Sequence, residues 1–125
     1  MVSLQNIVLV LAGLGFAGFG AWLLADPAGG LGKVGISGSQ PGLIELRAFY
    51  GGMELGLGAF LLACAAKPEW REAGLWLVLL ANGATGLARV LGLGLAGWAF
   101  TPFLVGALVW EFGFAALAAA ALRSH

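Results

Sequence analysis

Six residues of this chain combine types and spacings that could do chemistry: Arg47, Tyr50, Glu54, Asn82, Arg89 and Glu111. Arg47, Tyr50 and Glu54 are spaced i, i+3, i+7, as are Asn82, Thr85 and Arg89, so on α-helices each set shares one face. A guanidinium stays protonated, and its planar fork suits a carboxylate or phosphate group. Glu54, Glu111 and Tyr50 are the groups able to accept and return a proton. These residues fit three arrangements. The first is a ligand or catalytic pocket lined by all six, with Glu54, Glu111 and Tyr50 as the candidate catalytic groups. The second is a set of interhelical ties, Arg47 to Glu54 and Arg89 to Glu111, with Asn82 and Tyr50 satisfying leftover groups. The third is a carboxyl relay for protons or ions.

The elements that must carry them are strongly apolar. The 125 residues are 61% hydrophobic and 10% charged, with mean hydropathy +0.98 and zero net charge. Soluble domains carry about 25% charged residues, so a membrane protein is expected. Four stretches, about residues 4–24, 43–66, 73–96 and 100–122, approach the roughly 20 residues that cross a bilayer as a helix. The fold class expected is all-α: an integral membrane four-helix up-and-down bundle, a single transmembrane domain over residues 1–125. The short turn from Lys67 to Glu72 permits only an antiparallel neighbour. The connection 26–41, rich in glycine, reads as a lid or a plain linker. Gly13, Gly15, Gly18 and Gly20 mark a packing face, as do Gly51, Gly52, Gly56 and Gly58, which include a Gly-x-x-x-Gly spacing at Gly52 and Gly56.

Counting from the Lys67–Glu72 turn gives depth. Glu54 lies eleven residues before Ala65 and Asn82 eleven after Arg71, while Arg47 and Arg89 each lie eighteen away. With Glu111 near the middle of the fourth stretch, the expected layout is a central layer of Glu54, Asn82 and Glu111, an outer layer of two arginines, and Tyr50 between. Glu45 sits in the first turn of its helix, where a carboxylate suits the positive end of the dipole. Counting Glu45, Glu54 and Glu111 against Arg47 and Arg89 leaves one carboxyl without a counter-charge.

Lysine and arginine in the connections set orientation. Lys67, Arg71 and Arg123 share the side of both termini against Lys33 opposite, which puts both termini in the cytoplasm of a multi-pass inner-membrane protein. Trp70 on one side and Trp22 and Trp98 on the other suit interfacial anchors. The first stretch lacks a positive n-region and is too long for a typical signal-peptide core, so it is read as a retained helix.

Several chemistries are excluded. No basic block exists to track phosphates, so no nucleic-acid partner is expected. Cys64 stands alone and reads as packing. Gly13–Gly18, Gly30–Gly35 and Gly92–Gly97 match the dinucleotide fingerprint without the strand and βαβ unit it requires, and Gly32-Lys33 lacks the rest of a P-loop. His125 is the only histidine and is terminal, so a histidine-based metal site, a haem and a hydrolytic triad are not expected, and no cofactor is assigned.

The stretch Arg47-Ala48-Phe49-Tyr50-Gly51-Gly52-Met53-Glu54-Leu55-Gly56-Leu57-Gly58, preceded by Asp26-Pro27 and followed by Ala88-Arg89, resembles the small bacterial membrane family known as domain of unknown function 4345. The resemblance covers nearly the whole chain and implies a four-helix integral membrane protein with no established activity. The function expected is binding of a small amphipathic or anionic ligand, lipid- or isoprenoid-like. Its pocket would open toward the long connection, with Arg47 and Arg89 on the head group. The alternatives are a non-catalytic structural subunit or assembly factor of a membrane complex, and an acid–base lipid-modifying enzyme. The expected partners are the lipid bilayer, a lipid-like small molecule, and a homo-oligomer or membrane complex that the glycine faces allow.

Overall fold

The computed structural model describes residues 3–124, and His125 lies outside the described residues. Among them the chain forms five helices and no strand: α1 (Leu4–Ala25), α2 (Pro27–Lys33), α3 (Gln40–Ala66), α4 (Arg71–Leu95) and α5 (Pro102–Arg123). Four are long and apolar enough to cross a membrane: α1, α3, α4 with the 3₁₀ turn Pro68–Trp70 that leads into it, and α5.

Local chemistry sets the ends. The Ser3 hydroxyl accepts from the Asn6 N–H at 3.2 Å, and the Thr101 hydroxyl accepts from the Leu104 N–H at 3.2 Å ahead of Pro102. Both occupy the N-cap position, where a side-chain oxygen satisfies an orphan helix donor. At the far end of α4 the Trp98 N–H donates to Leu93 O at 2.7 Å across Gly97, whose φ of 76° is left-handed, a glycine-assisted stop.

The connection 26–41 is more structured than a lid or a linker. Asp26 Oδ1 accepts from the Gly29 N–H at 3.1 Å and starts α2, whose Pro27, Gly30 and Leu31 are buried. Leu31 is fully buried, and α2 packs back on α1. The next helix then begins at Gln40, three residues before the start read from the apolar run at residue 43.

α1 packs mainly along α3, and α4 along α5. The α1–α3 contact is close because glycines face each other. A Cβ on Gly20 would lie 2.5 Å from Leu55 N and 2.7 Å from Gly51 O, and one on Gly58 would strike Ala17 N and lie 2.6 Å from Gly13 O. The packing glycines are therefore Gly13 and Gly20 against Gly58 and Gly51, each pair seven residues apart, or two helical turns. Gly18, Gly52 and Gly56 face open space, which corrects the Gly52–Gly56 packing motif. That spacing is correct for a seam, but it lies on the side of α3 turned away from α1.

The dry core sits in one half of the molecule. Val8, Leu9 and Ala12 of α1, Leu61 and Cys64 of α3, Leu75 and Val78 of α4, and Phe114, Ala118 and Ala121 of α5 form one buried cluster. Gln5 Nε2 donates to Ala121 O at 3.2 Å, closing α1 onto α5 at that end. In the other half the pairs α1–α3 and α4–α5 each stay together, and the space between the two pairs opens into a cavity.

Candidate functional site

The cavity has a volume of about 580 Å³. Each long helix contributes a face: Gly15, Phe16 and Phe19 from α1; Phe49, Tyr50, Met53 and Glu54 from α3; Asn82, Thr85 and Arg89 from α4; Phe103, Ala107, Trp110 and Glu111 from α5. A volume of this size with an apolar wall and few polar groups is typical of a small-molecule site.

The polar groups lie at one level. Glu54 stands twelve residues before Ala66 and Glu111 twelve before Arg123, about 18 Å along each helix. Both lie near the middle of their helices. Arg89 Nε donates to Glu111 Oε1 and Oε2, each at 2.9 Å, and the Arg89 guanidinium carbon lies 5.5 Å from the Phe103 ring centre. Asn82 and Glu111 are buried at 3% and 7% exposure. Asn82 Nδ2 donates to Val78 O at 3.0 Å and the Thr85 hydroxyl to Ala81 O at 2.7 Å, so each satisfies itself on its own helix. Glu54 Oε2 is buried and has no hydrogen-bond partner among the described residues. A buried acceptor left unmade is costly and calls for an explanation.

Five of the six residues picked from the sequence thus line one cavity: Tyr50, Glu54, Asn82, Arg89 and Glu111. Arg47 does not. It is exposed and lines a separate, smaller cleft with Asp26, Gln40 and Ile44 beside α2. The reason is local. Residues Arg47–Met53 form a π-helical stretch inside α3, containing the consecutive glycines Gly51 and Gly52. A π turn closes i→i+5 and takes roughly one extra residue, about 100° of rotation, so the i, i+7 step from Arg47 to Glu54 no longer keeps one face. The same turn brings Phe49 and Met53 onto the cavity wall. Glu45 is exposed as well, so the cavity holds two carboxyls and one guanidinium. Glu111 takes the guanidinium, and Glu54 is left over.

The aromatic wall went unread in the sequence. Phe16 and Phe19 at i, i+3, and Phe103, Ala107, Trp110 and Glu111 at i, i+4, i+7, i+8, were the available signals. In a chain so rich in apolar residues they do not stand apart from ordinary packing.

The family model described as domain of unknown function (DUF4345) matches residues 4–122. The chain belongs to the DUF4345 family. The match runs from α1 to α5, so in this DUF4345 member both the dry core and the cavity lie within the family's span. No curated protein and no solved structure matches the chain. The arrangement therefore has to be interpreted from its own chemistry. It offers a lipophilic chamber, one neutralised arginine with its terminal nitrogens unspent, and one carboxyl whose buried oxygen lacks a donor.

Proposed function

We propose that this chain is a multi-pass protein of a bacterial inner membrane, an up-and-down four-helix bundle that binds a small amphipathic ligand in its intramembrane cavity. One observation carries the reading: the unpartnered Glu54 Oε2 inside an aromatic-lined cavity of about 580 Å³. Evolving such a group into a structural core would cost stability for no return, whereas a ligand supplying a donor satisfies it. The outer surface supports the membrane setting. Leu80, Leu87, Leu91, Leu95 and Val109 are each more than half exposed, far beyond what a water-facing monomer tolerates.

A second reading, a non-catalytic subunit or assembly factor, draws on the direct Arg89–Glu111 tie, which holds α4 to α5 as interhelical glue would. An acid–base lipid-modifying activity would fall to Glu54 with Tyr50, because Glu111 is engaged by Arg89. The test is thermal unfolding of the purified protein across a panel of lipids and quinones, repeated with Ala107→Trp, which fills the cavity. Stabilisation by a panel member that vanishes in Ala107→Trp is the expected result. Stabilisation that survives a filled cavity, or none across the panel, favours the subunit reading.

A further inference from the structure

The cavity has a mouth and a floor of different chemistry. At the mouth stand Phe49, Met53, Phe103 and Trp110, which line the cavity and are yet 57%, 52%, 37% and 47% exposed. They stand on the exposed side of the cavity, on α3 and α5. In a spanning orientation this side faces acyl chains rather than water, and its one exposed polar side chain, Thr85, spends its hydroxyl on Ala81 O. A ligand that crosses it comes from the bilayer.

The floor selects the head group. Among the described residues Arg89 is the only cation lining the cavity, and its charge is matched by Glu111 through the two 2.9 Å contacts. No positive charge remains for an anion, and the Glu54 carboxyl beside it would repel one if ionised. The depth points the same way, since a net charge near a bilayer centre is strongly disfavoured. What the floor lacks is a hydrogen for Glu54 Oε2. What it has to give are the Arg89 Nη hydrogens, since only Nε is spent on Glu111.

We propose that the cavity takes a neutral, single-tailed lipid from the bilayer past Phe49, Met53, Phe103 and Trp110. Its head group gives a hydroxyl hydrogen to Glu54 and accepts from Arg89. This rests on the ligand-binding reading above and replaces its anionic option: the arginine that would have made a second cationic contact, Arg47, lies in the other cleft.

The test uses the full chain in detergent micelles and four probes that share one oleyl tail: 1-monooleoylglycerol, methyl oleate, oleate and oleylamine. Binding is read from the shift in unfolding temperature against probe concentration. The glyceride is expected to bind about tenfold tighter than methyl oleate, which lacks a donor, the scale of one hydrogen bond to a buried acceptor. It is also expected to bind tighter than oleate. Glu54→Leu should bring glyceride and methyl ester to within about twofold while Ala107→Trp removes both. Oleate or oleylamine binding as well as the glyceride, or a preference untouched by Glu54→Leu, overturns the head-group assignment and leaves the binding site standing. A folded protein that no probe stabilises overturns both. Should Glu54→Leu fail to fold, Glu54→Gln replaces it: Gln keeps an acceptor, so a retained preference for the glyceride over methyl oleate is expected there, and loss of that preference contradicts the proposal.

Discussion

Arg89 Nε lies 2.9 Å from both carboxylate oxygens of Glu111 and ties α4 to α5 at the level where the dry core ends. The side chains are 29% and 9% exposed, so the pair is shielded by protein on the Glu111 side and open to the cavity on the Arg89 side. Breaking one half strands the other charge in an apolar chamber.

Arg89→Met and Glu111→Leu should therefore each destabilise the fold, by about 3 kcal/mol. The double variant should lose clearly less than the two losses added, with a coupling of at least about 1 kcal/mol. Unfolding in a mixed detergent series measures all four corners of the cycle. Simple additivity would mean that the pair contributes nothing as a pair.

The glycine seam makes a second prediction. Gly20→Ala and Gly58→Ala force a Cβ against the backbone of the facing helix, and overpacking of that kind costs about 1–3 kcal/mol. Gly52→Ala and Gly56→Ala meet nothing within 4 Å. These should be neutral or stabilising by up to about 1 kcal/mol through helix propensity. A reversed order in thermal unfolding would place the α1–α3 contact elsewhere.

The displaced arginine makes a third. Because Arg47 lies outside the cavity, Arg47→Ala should leave ligand-induced stabilisation within about twofold of the parent, while Arg89→Ala should weaken it by about tenfold or more. Equal losses from both would restore Arg47 to the site and argue against the π-helical rotation.

Orientation is open to a direct check. With Lys67, Arg71 and Arg123 on the side of the termini and Lys33 opposite, the charge bias predicts cytoplasmic termini. A green fluorescent protein fused after His125 should fluoresce, and Ser37→Cys should react with a membrane-impermeant maleimide in intact spheroplasts. Cys64 is fully buried and should give little background. Labelling of Glu69→Cys, and not of Ser37→Cys, would invert the assignment.

Composition and periodicity alone were enough for the four long helices, because apolar runs near bilayer length leave few other structures able to satisfy their backbone. Equal helical rise is what sets the expected level of Glu54, Asn82 and Glu111, and all three line the one cavity. Three things were decided only in three dimensions. Arg47 left the site because a π turn shifts angular register by about one residue, and no count of 3.6 residues per turn anticipates where that turn falls. The packing glycines proved to be Gly13, Gly20, Gly51 and Gly58, because a close approach depends on which face the partner helix presents. The cavity itself lies between the pairs α1–α3 and α4–α5, beyond the dry core. An empty space has no residue of its own, so it is written only in the relative placement of helices that each look ordinary alone.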